Sequence, residues 1–219
     1  MKRFLIIAGH PERESSDLGG GRRLAHASCH TSSQVPRLTL GMTEAFTDAE
    51  LAIANAFKLA SRREEWLHSR LAAKQLAVEL GLADDPRSIT IDRPFLIVDG
   101  ARTDWYVSLT HSGAYAGAAI DRAPVGIDVQ VVRELDERGA HLFLSPEETD
   151  QMKGCTLPHR ILHFWCAKEA AWKQRLGAIV TLRQVPLQLI EERADGLSFD
   201  RVETFAAGDR IAAVTRPTS

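Results

Sequence analysis

The run Val125-Gly126-Ile127-Asp128-Val129-Gln130-Val131 decides how this chain is read. Four β-branched residues alternate with other types, the pattern of a strand built for burial. Alternate side chains share a face, so Asp128 and Gln130 project together. A carboxylate in such surroundings is costly unless a partner offsets it. Two readings stand side by side: a strand-end aspartate turned to water, or a ligand for a metal ion.

Downstream, Ser145-Pro146-Glu147-Glu148 predicts a helix start, with proline at the first helical position. Pro158 predicts the start of a further helix, ending near Gly177. On it Trp165, Glu169 and Lys173 form an i, i+4, i+8 row, a carboxylate between a ring and an ammonium. An exposed Glu–Lys pair at this spacing contributes only ~0.3–0.5 kcal/mol, but Trp165 and Trp172 argue against full exposure. Cys155, His159, His163 and Cys166 fall within one short stretch, and zinc takes such ligands. Pro158 separates Cys155 from the helix, and Cys166 is turned away from His163. Surface histidines and buried cysteines are therefore expected. The tail predicts strands over 187–191, 197–201 and 210–215, with a hairpin turn at Asp195-Gly196.

Upstream, Thr47 or Asp48 caps a short helix through Leu51, Ile53 and Phe57. Ser61 with Glu64 reads as a capping box opening a helix that stops near Gly81. Arg62, Arg63, Arg70 and Lys74 lie among its polar positions, either a solvated face or a basic site. Strands are predicted over 3–8, 88–91, 95–98 and 105–109; residues 114–120 suit a strand or a helix. Residues 9–37, with Gly19-Gly20-Gly21, read as a loop, and no phosphate-binding lysine motif follows them. Thr110-His111-Ser112-Gly113 lacks a nucleophile elbow; His111 is either structural or an anion contact. Strands followed by helices in no βαβ rhythm predict an α+β fold.

Composition narrows the function classes. The chain has 219 residues, 44% hydrophobic and 26% charged, enough for a sizeable core. A net charge of −2 argues against a nucleic-acid partner. Three cysteines form no disulfide framework, which suits a reducing cytoplasm. The N-terminal apolar run is too short for a signal peptide, and no run approaches the ~18 residues of a membrane helix. A cytoplasmic protein with no membrane partner is expected.

Ser108-Leu109-Thr110-His111-Ser112-Gly113, Gly126-Ile127-Asp128-Val129 and Trp165-x-x-Lys168-Glu169-Ala170-x-x-Lys173, in this order and spacing, resemble the signature of the 4'-phosphopantetheinyl transferases. Arg62-Arg63-x-Glu65-Trp66-Leu67-x-x-Arg70 and Asp92-Arg93-Pro94 resemble motifs of the larger, two-lobed branch, typified by the surfactin- and enterobactin-synthetase enzymes. The resemblance covers roughly residues 45 to 180. It implies transfer of the phosphopantetheine arm of coenzyme A to a serine of an apo acyl or peptidyl carrier protein, with release of 3',5'-ADP. It also implies Mg2+, or Mn2+ in its place, on Asp128, Glu169 and position 130, where many relatives carry a carboxylate and this chain has Gln130. Glu148 would be the general base, and Lys173 would neutralise the pyrophosphate beside Glu169. Arg62, Arg63, Arg70, Arg93, Thr110, His111 and Lys168 would contact coenzyme A. The branch further implies a monomer of two similar α/β lobes related by a pseudo-two-fold axis. The lobes would be residues 1–121 and 124–219, with one site between them. Gln130 alone favours the rival reading, a non-catalytic module that binds coenzyme A or a carrier protein.

Overall fold

Small residues decide where the first half's long helix lies. The computed structural model describes residues 3–8, 28–32, 43–176 and 181–216. Its first half runs β1 (Arg3–Ala8), β2 (Ser28–Ser32), α1 (Asp48–Asn55), α2 (Ala60–Glu79), β3 (Ile89–Asp92), β4 (Phe95–Val98), β5 (Ala101–Ser112) and β6 (Tyr115–Asp121). These strands make a sheet ordered β2-β1-β6-β5-β4-β3. Residues 114–120 resolve into β6, paired with β5 on one side and β1 on the other. Ala116 and Ala118 of β6 and Ala72, Ala73 and Ala77 of α2 are buried in one cluster, and small side chains allow that close approach. The predicted loop over 9–37 contains β2; its residues 9–27 and 33–37 lie outside the described residues.

Thr47 and Glu50 form the capping box of α1. The box predicted at Ser61 does not form: α2 begins at Ala60, with Leu59 as its cap and no side-chain bond there. The chain is already helical when it reaches Ser61. Glu50 has a second task, since its carboxylate accepts from the buried Lys74 Nζ at 2.9 Å. Lys74 also donates to the carbonyls of Pro86 and Ile89, which ties α2 to the start of β3.

The second half runs β7 (Ile127–Val131), α3 (Pro146–Gly154), α4 (Arg160–Gln174), β8 (Leu189–Arg193), β9 (Gly196–Phe199), β10 (Val202–Ala207) and β11 (Arg210–Thr215). Its sheet is ordered β7-β11-β10-β9-β8. α4 ends at Gln174, short of the expected Gly177, and β9 stops at Phe199, where the chain turns into a strand, β10, that sequence patterning missed. Ser145 and Glu148 form the capping box of α3. The mixed order of strands and helices is α+β, as expected.

The first sheet ends at Asp121 and the second begins at Ile127. β7 is an edge strand with one ladder, to β11. Its other edge faces the second half of β5, which is laddered to β6. Hydroxyls close the gap. Ser108, Thr110 and Ser112, alternate residues of β5, accept the N–H groups of Ile127, Val129 and Val131 at 3.2, 3.0 and 3.1 Å. These backbone donors would otherwise be buried without partners. Ala119 of β6 joins Val125, Ile127, Val129, Ala212 and Val214 in an apolar cluster that spans both sheets.

Gly126 sets the depth of α4. A Cβ built there would lie 1.8 Å from the Ala170 carbonyl oxygen. Only glycine lets the helix backbone lie against the start of β7, and that contact brings α4 alongside Asp128.

Candidate active site

A cleft of about 440 Å³ opens where the two sheets meet. The first half lines it with Arg62, Glu65, Trp66 and Arg70 of α2, Arg93 of the β3–β4 turn, and Thr110 and His111 of β5. The second half contributes Asp128 and Gln130 of β7 and Trp165, Glu169 and Lys173 of α4. The i, i+4, i+8 row on α4 therefore faces the cleft as one stripe.

Asp128 is buried and fully engaged. Its Oδ1 accepts from Lys173 Nζ at 2.8 Å and from Thr110 Oγ1 at 3.0 Å; its Oδ2 accepts from the Gln130 amide at 3.2 Å. Lys173 also donates to the Ile127 carbonyl at 3.0 Å. Glu169 shares the wall without such support. Burial, and then the neighbouring Asp128 carboxylate, raise its carboxyl above the ordinary value, against the pull of Lys173. Two carboxylates thus lie beside one lysine that, of the two, bonds only Asp128, an arrangement that favours a further positive charge. Gln130 turns its nitrogen to Asp128, while its oxygen accepts from Ser112 at 3.4 Å. As placed, its amide braces Asp128.

The opposite wall is cationic. Arg70 lies 3.8 Å over the Trp66 ring, and Trp66 is tilted against Phe57. Burial, then the Arg93 guanidinium, lower Arg70 to about 10, against Glu50. Two neighbouring guanidiniums in a half-buried wall are relieved by an anion. Arg62 and His111 both reach Glu65 Oε2, at 2.7 and 3.1 Å. Glu65 therefore holds Arg62 and His111 in place before any ligand arrives.

Four of the predicted residues are engaged elsewhere or lie off the cleft wall. Glu148 is buried in the second core, not on the cleft wall. Its carboxylate accepts from Lys168 Nζ at 2.7 Å, Leu187 N at 2.9 Å and Ser145 N at 2.8 Å, so it is not exposed to take a proton from a substrate. Lys168 is completely buried and also donates to the Val185 carbonyl; it faces that core rather than a ligand. Arg63 is exposed and lies outside the cleft lining. Thr110 lines the cleft, but its hydroxyl hydrogen goes to Asp128, so it positions β7 and does not donate to a ligand.

The cysteine–histidine stretch disperses. His163 is buried, not at the surface, with Nδ1 2.8 Å from Thr204 Oγ1. Cys166 is buried against the Ile211 carbonyl, and Cys155 against that of Gln151. Among the described residues no three His, Cys, Asp or Glu side chains converge on a metal-sized site.

Sequence reasoning gave no role to Glu65, Trp66, Ser69 or Phe57, all of which line the cleft. The signal was available. Residues 62, 65, 66, 69 and 70 follow the i, i+3, i+4, i+7, i+8 spacing of a single helix face, and Arg63 falls off it.

Residues 124–212, less than half of the chain, match the family model of the 4'-phosphopantetheinyl transferase superfamily. The matched span holds Asp128, Gln130, Trp165, Glu169 and Lys173, the second half's side of the cleft. The 4'-phosphopantetheinyl transferase psf-1 of Bacillus pumilus is 32% identical over 69 residues, which is 30% of this chain and 30% of that relative's length.

Proposed function

We propose that this cleft binds coenzyme A and transfers its 4'-phosphopantetheine arm to a serine of an apo acyl or peptidyl carrier protein. One observation carries the reading: arginines and His111 line one cleft together with the carboxylates of Asp128 and Glu169 and with Lys173, the last three within the region that matches the superfamily model. The serine oxygen would attack the β-phosphorus as the bond to 3',5'-ADP breaks. Such a transfer depends on positioning and charge neutralisation rather than on covalent help.

Arg62, Arg70, Arg93 and His111 suit the phosphates of the nucleotide end, because the planar guanidinium matches a phosphate with two donors. Lys173, held beside Asp128, would meet the charge that builds on the pyrophosphate. The carboxylate pair Asp128 and Glu169 fits Mg2+ or Mn2+, a hard cation bound by one or two carboxylates with substrate phosphates completing its shell. When bound, such an ion would withdraw charge from the pyrophosphate oxygens. The raised Glu169 carboxyl supports this fit, since a neighbouring cation would favour its ionised form.

The whole chain would work as a monomer of two lobes, residues 1–121 and 124–219. Support comes from the strand orders. In each half the last strand lies between the first strand and the preceding one: β2-β1-β6-β5-β4-β3 in one, where β2 is an added outer strand, and β7-β11-β10-β9-β8 in the other. A pseudo-two-fold axis between lobes accounts for that correspondence. Among the described residues no helix is long and apolar enough to cross a membrane, and Cys155 and Cys166 are free, which is consistent with a cytoplasmic enzyme.

The test is Mg2+-dependent labelling of a panel of apo carrier proteins with a fluorescent coenzyme A. Labelling that stops on chelation is expected. Coenzyme A binding without labelling of any carrier would instead support a non-catalytic module, the reading that Gln130 in place of a carboxylate favours.

A further inference from the structure

The two halves meet again at one corner of their junction, where two turns close on the end of β7. Gly113 opens the β5–β6 turn at φ +55°. A Cβ there would lie 2.9 Å from Val131 Cγ2, so this turn packs onto β7 as closely as glycine allows. Ser112, the last residue of β5, accepts the Val131 N–H at 3.1 Å and donates to Gln130 Oε1 at 3.4 Å. From the other side comes the β10–β11 turn. Its Asp209 carbonyl accepts the Val132 N–H at 2.7 Å, and Arg210 stands opposite Val131 in the β7–β11 ladder.

Side chains then join the two turns to each other. The Tyr115 hydroxyl donates to Asp209 Oδ1 at 2.5 Å, across 94 positions of chain. The Arg210 guanidinium lies 4.5 Å over the Tyr115 ring and 3.9 Å from the Asp209 carboxylate. Burial, and then the bond to Asp209, raise the Tyr115 hydroxyl above its ordinary value, against Arg210, so it stays a donor at neutral pH. Asp209 thus holds the end of β7 with its main chain and the first half with its side chain. The contacts form a closed circuit through Val131, Val132, Asp209, Tyr115 and Ser112, since Tyr115 and Ser112 pair in the β5–β6 ladder. Gln130 is attached to that circuit through Ser112, and its nitrogen lies 3.2 Å from Asp128 Oδ2.

We infer that Tyr115 and Asp209 are positioning residues: by clamping the end of β7 between the two turns, they keep the Gln130 amide on Asp128. Neither lines the cleft, so they act through β7. A single bond between exposed turns adds little to overall stability, but closing the circuit removes slack from the groups it encloses. Groups that orient a metal-binding side chain typically change metal affinity by about 10–100-fold. The inference rests on the function proposed above in taking Asp128 as a metal-binding carboxylate; the clamp itself stands on the contacts alone.

Amide hydrogen exchange and calorimetric titration of Mn2+ test this on Tyr115→Phe, Asp209→Ala and Asp209→Asn. Tyr115→Phe keeps the ring under Arg210 and loses only the hydroxyl; Asp209→Asn keeps an accepting oxygen. Tyr115→Phe and Asp209→Ala are each expected to speed exchange of the Val131 and Val132 amides about tenfold, with the amides of α4 unchanged. Each is also expected to weaken Mn2+ binding about tenfold. Asp209→Asn is expected to match wild type in both measurements. Unchanged exchange at Val131 and Val132, or faster exchange with unchanged Mn2+ affinity, would overturn the inference. Equal acceleration of every amide would overturn it too, since that marks a general loss of stability. Wild-type protein that binds no Mn2+ would instead overturn the metal site of the proposed function, and the exchange result would still decide the clamp.

Discussion

Thr110 Oγ1 accepts the Val129 N–H and donates to Asp128, so one hydroxyl fixes both the backbone of β7 and the carboxylate it carries. Thr110→Val keeps the shape and removes both bonds. It is expected to cost about 1–3 kcal/mol in urea denaturation and to slow carrier labelling, whereas Thr110→Ser retains both properties. Glu169 poses the opposite case. Its carboxyl is raised by burial and by Asp128, so the folded state binds its proton more tightly than the unfolded chain does. That group's contribution therefore declines as pH rises through the carboxylate range, and at neutral pH its ionised form opposes folding. Glu169→Gln is expected to leave Tm in chelator unchanged or higher, while labelling falls by ~10²-fold or more. A lower Tm with normal labelling would remove Glu169 from the site. The residue types were legible in the sequence, because a buried strand aspartate and a glutamate between tryptophans both demand partners. The partners themselves were not legible, since Thr110 and Lys173 lie 18 and 45 positions from Asp128.

At the scale of elements, the helix period explains most of what sequence reasoning assigned well and badly. Trp165, Glu169 and Lys173 recur every four residues and reach the cleft together. Lys168 stands beside Glu169 in the chain but about 100° around the helix, so it cannot share that face. It enters the core and pairs with Glu148, the third residue of the α3 capping box. The first half repeats the device with Glu50 of the α1 box and Lys74 of α2. In each half a box glutamate locks the short helix to the long helix that carries cleft residues. The contact that sets α4 against β7 is also elemental. Gly126→Ala would drive a methyl group into the Ala170 carbonyl. The helix must then retreat, with an expected loss of about 2–3 kcal/mol by chemical denaturation and a loss of labelling. A variant as stable and as active as wild type would show that α4 does not need this depth.

Among the described residues the two sheets are joined by hydroxyl hydrogen bonds from β5, by the Tyr115–Asp209 bond and by an apolar cluster, with the cleft at their junction. The whole molecule's response to acid has an identifiable contributor. Burial, then His159, lower His163 to about 4, while the ordinary value is 6.5. Between those values the unfolded chain binds a proton that the folded one refuses, so stability falls as pH drops from about 6.5 toward 4. The contribution is on the order of 3 kcal/mol. His163→Gln is expected to flatten this part of the pH profile of urea midpoints; an unchanged slope would assign the acid sensitivity elsewhere.

By itself the sequence determined the α+β class, most helices and strands, and the residue types of the candidate site. Those features are local: hydrophobic period, caps, turn residues and short motifs act within a few residues of one another. Only the tertiary structure decided that Glu148 and Lys168 belong to the core, that Arg63 points away, and that Thr110 serves Asp128. These roles depend on which face of each element meets its neighbour, and distant contacts such as the one at Gly126 set that.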